Sequence, residues 1–536
     1  MNEPAQSPPS VSAETPAHHH GFLKHVPVIS ACTLLSRVLG LVRDVLWARY
    51  FGAGLVSSAF LTAWNVPNLF RALFGEGAVN SAMVPTFTES LKTRTPEETQ
   101  KLYSVTFTAM LLALGALTLA IELGLAALGW RGGFSEKTTL LIRYTMALLP
   151  YMPLICLAGF FMAMLNARRH FFAPAFMPAI LNIVWIAAIV VFARPKAPLA
   201  DAALYVSLAT VFAGLLQVLF QVPFAAARGF RLRLSFDFSH PGFRQILALL
   251  VPVVVGAAAI EVNVLVDRGL AYFAVPYKGA PACLFFGNRL VQLPMAMVGL
   301  AISTAVLPAL SAHAALNEME HFRRTLSAAL RSTMFLTIPA SVGLMALSGP
   351  IVDVFFRHGH FDMEAALRTA WVIVCYCLGL WGQSAVFVLL RAFYALKDTK
   401  TPVRVSLSMV ALNVALNLTF VWFLEEKGLA LATSICGMTQ FVVLSAILRR
   451  RIGPLGGEDA AGSVAKTVAA SVIMGECALL AWARFWPWEH LYPGRPGTLL
   501  RLGVLAAIVV GASAVFVATA ALLKMPELKQ AWRVQT

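Results

Sequence analysis

Apolar runs long enough to cross a bilayer recur along this chain with only short polar breaks, and this pattern restricts the fold more than any motif does. A hydrocarbon layer roughly 30 Å thick takes about 20 residues of helix. A helix also satisfies its own backbone where lipid offers no partner. Strands of a membrane barrel would alternate polarity over about 10 residues, which these runs do not. The spans fall near 27–50, 55–87, 103–130, 138–166, 174–193, 200–227, 246–274, 282–313, 326–356, 368–395, 402–424, 428–448, 464–486 and 498–523. The expected fold is therefore an all-α integral membrane protein of about fourteen helices. With 59% hydrophobic and 13% charged residues, the chain lies far from a soluble protein, whose charged share is about 25%.

The net charge of +16 does not point to nucleic acid, because the basic residues recur between apolar runs instead of gathering on one face. They read as a topology signal. Placing the N-terminus inside collects Lys92, Arg94, Arg168, Arg169, Arg228, Arg231 and Arg449 to Arg451 on the cytoplasmic side. The opposite loops hold fewer, chiefly Arg131, Lys137, Arg194, Lys196, Lys278, Arg357 and Lys427. Both termini are then cytoplasmic, and Trp482, Trp486, Trp488 and Tyr492 fall at the outer interface. The first 20 residues, ending in His18, His19 and His20, read as a disordered tail without a cleavable signal peptide. The seven cysteines lie in or beside apolar runs and read as small core residues.

Residues 59–85 align without gaps on 282–308, with Ala59, Asn65, Ala82 and Pro85 meeting Ala282, Asn288, Ala305 and Pro308. A second pair sets Leu165 to Arg169 before Pro174 against Phe393 to Lys397 before Pro402. Partners six spans apart share orientation, so these are parallel repeats. The division that follows is a tail at 1–24, an N-lobe at 25–228 with spans 1–6, a C-lobe at 229–451 with spans 7–12, and spans 13–14 within 452–536. Two facing lobes with a site between them suit alternating access. Span 2 exceeds one straight crossing, and Pro67 with Gly75-Glu76-Gly77 supplies the means to break it.

Ionisable groups within a membrane are functional hypotheses by default. Arg37 and Arg43 lie in span 1, Arg71 and Glu76 in span 2, and Arg289 in span 8. Guanidiniums sharing one cavity repel unless an anion or Glu76 sits among them, and arginine's fork matches phosphate or pyrophosphate. The alternative makes Arg37 and Arg43 interhelical salt-bridge partners and lets Arg289 reach the outer interface. A second constellation, Asp267 with Asn413, Asn417 and Thr433, offers hard oxygens for a small cation such as Na⁺. The asparagines could equally bond neighbouring helices. Glu261 and Glu476 have no partner pattern, and the segment Arg357-His358-Gly359-His360 is a weak metal candidate. The dipeptide Gly-Lys never occurs, which excludes a standard P-loop, and H-E-x-x-H and G-x-S-x-G are missing as well.

The run from Ser36 to Asp44, SRVLGLVRD, followed by Ala48-Arg49-Tyr50-Phe51-Gly52-Ala53-Gly54, resembles the start of the MurJ (MviN) family of the multidrug/oligosaccharidyl-lipid/polysaccharide exporter superfamily. The resemblance continues at Pro67 to Arg71, Phe74 to Ala78, Asn288-Arg289-Leu290, Leu307 to Ser311 and Asp398 to Pro402, and covers the chain after the tail. It implies a flippase, not an enzyme, that carries an undecaprenyl-pyrophosphate-linked peptidoglycan precursor, lipid II, from the inner to the outer leaflet of the bacterial inner membrane. By the same resemblance Arg37, Arg43, Arg71 and Arg289 bind the pyrophosphate and headgroup, and Glu76 pairs or gates. Spans 13 and 14 form the groove for the polyprenyl tail. Asp267, Asn413, Asn417 and Thr433 form a sodium site, with no other cofactor required. The expected partners are the lipid-linked precursor and membrane lipids, with no nucleic acid, and the chain is expected to be monomeric. Competing readings are an exporter of another lipid-linked oligosaccharide or a drug, and a polyprenyl-phosphate enzyme. The family often has acids where this chain has Ser58 and Asn288, and a glutamate at Gln292, so salt bridges built on those acids are not expected here.

Overall fold

The computed structural model describes residues 26–73, 78–194, 197–231, 233–454, 460–485 and 497–528. Its helices are α1 (Val26–Phe51), α2 (Leu55–Phe70), α3 (Ala78–Thr93), α4 (Pro96–Arg131), α5 (Glu136–Leu148), α6 (Tyr151–Ala167), α7 (Phe172–Phe192) and α8 (Leu199–Ala226). After a connection come α9 (Pro241–Phe273), α10 (Ala280–Pro294), α11 (Ala301–Ala315), α12 (Met319–Ala346), α13 (Ser348–Phe355), α14 (Met363–Ala395), α15 (Lys400–Ile452), α16 (Ala460–Phe485) and α17 (Thr498–Leu522). Local chemistry fixes several starts. Thr95 and Glu98 form a capping box ahead of α4 with Pro96 in its first turn, and the Asp362 carboxylate accepts from the Ala365 N–H at the start of α14.

Ten of the described helical stretches are long and apolar enough to cross a membrane. One of them, α15, doubles back at Glu425, whose φ of 54° leaves the helical region. Gln440 Nε2 donates to Ser406 Oγ at 3.1 Å and Arg451 Nη2 to Thr401 Oγ1 at 3.0 Å, so its two arms lie antiparallel and supply two crossings. Adding that second arm, the charge-bearing α1, the interrupted α2–α3 pair and α9 is compatible with the fourteen expected spans.

Pro67 does not end the first helix of span 2. Pro67 sits inside α2, which runs on to Phe70 before a π-helical turn at residues 71–73. Its missing N–H costs one helical hydrogen bond and the helix carries on regardless. Glu76 and its flanking glycines lie outside the described residues, as do the first 25 residues, Lys196, Trp486, Trp488 and Tyr492. Span 4 is likewise two helices, α5 and α6, meeting at Leu149 and Pro150.

Both repeat signals have backbone counterparts. In the ungapped alignment Met295 falls opposite Ala72, and a π-helical stretch, Met295–Leu300, joins α10 to α11 there as the π turn follows α2. Arg169 and Lys397 both take positive φ, 57° and 59°. Each ends its helix the same way, with His170 N donating to Leu165 O and Asp398 N to Phe393 O, both at 2.9 Å.

One continuous apolar core holds Trp47, Phe60 and Trp185 of the first half together with Phe286, Phe356 and Phe361 of the second. It joins the halves at the end carrying the 52–54, 274–279 and 356–362 connections, called the seam end below. Toward the other end there are two separate cores, one around Phe87, Tyr103, Phe160 and Phe230, the other around Phe322, Leu326, Phe393 and Leu444. The halves therefore meet at one end and part at the other. Helix α9 spans the difference: Phe243 and Ile246 near its start pack in the first-half core, while Asn263 farther along bonds Asn413 of α15. Five cysteines are buried as expected and Cys375 is half-buried, but Cys477 is exposed on α16.

Candidate substrate site

Helix α1 carries its charges just short of the seam. Asp44 is 1% exposed and sits between two arginines. Arg43 donates to Asp44 Oδ1 through Nη2 at 2.7 Å and Nε at 2.9 Å, while Arg289 Nε reaches Asp44 Oδ2 from α10 at 2.7 Å. One carboxylate thus ties the two halves together.

The rest of the Arg43 fork is occupied as well. Nη1 donates to Asn182 Oδ1 at 3.0 Å, and the guanidinium lies 4.5 Å from the Trp185 ring centroid. Asn182 in turn donates to the Ser36 carbonyl at 2.9 Å, which fixes α7 against α1. The close approach needs Gly40, where a Cβ would stand 3.2 Å from Arg289 Nη2. Arg71 is half-buried, its Nε donating to Asn68 Oδ1 at 2.9 Å, and both it and Arg289 lie near enough for their charges to act on Arg43. Arg37 is exposed, two turns before Asp44 on the same helix face, and makes no hydrogen bond or ion pair among the described residues.

The structure brings Arg43 and Arg289 together, with Arg71 near, and puts Arg37 about 10 Å along α1 on the side where the halves part. Arg43 is paired, but with Asp44 on its own helix, and the salt bridge between helices is made by Arg289 instead. Arg289 turns to Asp44 on the neighbouring helix. Asp44 itself was missed as a site residue, although an acid adjoining an arginine inside an apolar span was a visible signal.

Six residues beyond Arg43, the two halves touch backbone to backbone. His360 N donates to Arg49 O at 3.0 Å. Gly359 and Gly52 flank that bond with positive φ of 59° and 61°. A Cβ on Gly359 would lie 2.2 Å from Arg49 O, and one on Gly52 would lie 2.3 Å from His360 O. Only glycine fits either position. The histidine segment therefore packs through its backbone, with His358 Nε2 against Val354 O at 2.8 Å, and no group of three or more His, Cys, Asp or Glu is placed to hold a metal among the described residues.

The polar constellation in the second half assembles in part. Asn417 bonds Asp267 through Nδ2 and also reaches Asn413 Oδ1 at 2.7 Å. Asn263, absent from the sequence reading, donates to Asn413 Oδ1 at 3.1 Å. Two amide oxygens, on Asn417 and Asn263, are buried without a hydrogen-bond partner. Thr433 instead donates to Leu429 O in its own helix.

An apolar cavity of about 670 Å³ opens beside the arginines, between α10, α12, α16 and α17. Leu290, Leu293, Pro339, Met474, Val509 and Phe516 are among its walls. Leu290, one of these wall residues, follows Arg289 in the sequence.

Two repeat halves closed at one end, an arginine layer beneath the closure and an apolar groove leading from it define a membrane transporter for an amphipathic anion. Residues 47–491 match the family described as "Lipid II flippase MurJ". The chain belongs to that family. A probable lipid II flippase MurJ of Vibrio cholerae serotype O1 is 32% identical over 79% of this chain and 82% of its own length. A lipid II flippase MurJ of Burkholderia cenocepacia is 30% identical over 79% and 83%. The solved structure "Lipid II flippase MurJ, inward closed conformation" superposes with a TM-score of 0.74 at 26% identity, covering 91% of this chain and 98% of that one. A multidrug resistance MATE family transporter of the MOP superfamily, in an inward-facing conformation, shares the fold at 14% identity with a TM-score of 0.65 over 80% and 98%.

Proposed function

We propose that this chain moves lipid II from the inner to the outer leaflet of the bacterial inner membrane by alternating access, with the seam on the outer side and both termini in the cytoplasm. The carrying observation is the Asp44 carboxylate held between Arg43 and Arg289, one from each half. Asp44 occupies the arginines as a phosphate would. A pyrophosphate entering where the halves part competes with Asp44 for Arg289, and winning that competition removes a bond across the seam. Arg37 and Arg71 meet the same anion from the first half, with Glu76 near Arg71 in sequence as the counter-charge. Charge-assisted arginine–phosphate hydrogen bonds are strong enough for such an exchange.

The groove beside Leu290 takes the polyprenyl tail while the headgroup sits at the arginines. The fixed cations oppose a cationic drug as cargo. Asp267 with the free oxygens of Asn417 and Asn263 suits Na⁺, which would offset the half-buried carboxylate's charge; Asn413 adds a further oxygen, and Thr433 lies one helix turn beyond Leu429 on the neighbouring arm. The chain works as a monomer, since each half already supplies part of the site.

The test is complementation of a cell depleted of its own flippase. Arg37→Ala, Arg43→Ala and Arg71→Ala should each abolish growth while the protein stays in the membrane. Normal growth with all three would sink the arginine-layer reading.

A further inference from the structure

Helix α17 forms one wall of the apolar groove, yet it is not packed flat on the helix opposite. It runs along α16 and meets α12 chiefly where Phe335 and Phe516 lie 5.3 Å apart between ring centroids. In lipid, apolar helix faces have no hydrophobic drive to close a gap that a chain of similar polarity can fill. Something other than apolar contact must set the width.

Buried charges stand at both ends of the helix. At the seam end Arg501, 3% exposed, donates through Nη1 to Asp353 Oδ2 of α13 at 3.0 Å, and Arg357 meets the other oxygen of Asp353 at 2.9 Å. Past the opposite end the chain turns at Lys524, φ 50°, and buries Glu527 at 3% exposure. Glu527 Oε1 accepts from Ser463 Oγ of α16 at 2.8 Å and lies 3.7 Å from Arg331 Nε of α12. Charges in such surroundings are costly unless paired, and the sequence places none in the twenty-two residues between Arg501 and Lys524.

We propose that Arg501–Asp353 and Glu527–Arg331 are ionic pins that hold α17 to the second half at a fixed distance from α12, keeping the groove open for a long isoprenoid chain. Resting on the reading that the cargo is a lipid-linked pyrophosphate, the pins are positioning residues that set tail-length preference. They act on the groove and not on the headgroup.

Two measurements on the full-length purified chain test this. Spin labels at Ala340→Cys and Val509→Cys report the α12–α17 separation without any substrate. Arg501→Met with Asp353→Leu removes one pin without stranding a charge, and Glu527→Gln weakens the other. Each should broaden or shorten the distance distribution, and an unchanged distribution in both overturns the pins. In proteoliposomes, transport of an undecaprenyl-pyrophosphate-linked precursor should fall at least about tenfold in the pin variants through a raised KM. An analogue with a three-isoprene tail should change less than about twofold. Equal loss for both substrates would make the pins merely structural and overturn the tail-length role. Failure of the unmodified protein to move either substrate would instead overturn the lipid-linked reading, with the spin-label result still deciding whether the pins hold the helix.

Discussion

The two ends of the bundle are built differently from one set of repeats. At the seam end the halves share a core and touch through glycine backbone and the Asp44–Arg289 bond. At the other end each half keeps its own aromatic or aliphatic core, and among the described residues the start of α9 packs into the first-half one. Interlocked cores part reluctantly, whereas a hydrogen bond, an ion pair and two glycine contacts can be exchanged at small net cost. The seam therefore combines a shared apolar core, which resists parting, with close polar contacts that exchange more readily.

Removing Asp44 should do the most damage. Asp44→Ala leaves Arg43 buried beside Arg289 with no shared acid, and stranding a buried charge costs about 3–5 kcal/mol. Transport should vanish and the melting temperature of the purified protein should fall; Asp44→Asn should lie between, and a melting temperature unchanged in both would contradict the shared-carboxylate role. Next in size is Gly359→Ala, whose Cβ would sit 2.2 Å from the Arg49 carbonyl. It should hold the seam apart, lowering transport about tenfold or more while the protein folds. A cysteine at Ala53→Cys, a buried position beside the seam, should then react faster with a water-soluble maleimide than it does with Gly359 intact. Equal rates would show that the glycine contact does not close the seam.

A smaller, more selective effect is expected in the second half. Asp267→Asn should remove any sodium dependence of transport while leaving the arginine layer untouched, and persistence of that dependence would rule the oxygen cluster out as the cation site. The smallest effect concerns the end where the halves part. The Asp398 carboxyl, in the turn between α14 and α15, is lowered from 3.8 to about 2 by hydrogen bonds from the Thr401 side chain and backbone and from Arg451. Its contribution is therefore complete above pH 4 and is lost as pH falls toward 2. The melting difference between the unmodified protein and Asp398→Asn should shrink over that window and stay flat at higher pH.

Much of this was legible because membrane folds write themselves in hydropathy. The spans, the repeat at 59–85 and 282–308, and the arginines in α1 and α10 all came from spacing and cost. Position along a helix is readable in that way, but direction across the bundle is not. Nothing in the spacing said that Arg289 would turn inward to Asp44, or that Asn263 would join Asn413. In the histidine segment, too, the side chains attract notice and the glycine between them does not. The segment's function lies in Gly359, where the absence of a Cβ lets another backbone approach. Pro67 shows the same limit: a proline marks where a helix is weakened, yet α2 runs through it to Phe70.

The measurement that bears most directly on the central claim is the leaflet distribution of lipid II in cells depleted of their own flippase and supplied with this chain. The unmodified protein should restore lipid II to the outer leaflet, where an externally added enzyme that cleaves lipid II itself can reach it, and Arg43→Ala should leave it inside and protected. Outer-leaflet lipid II at undiminished levels with the Arg43→Ala chain would contradict the account.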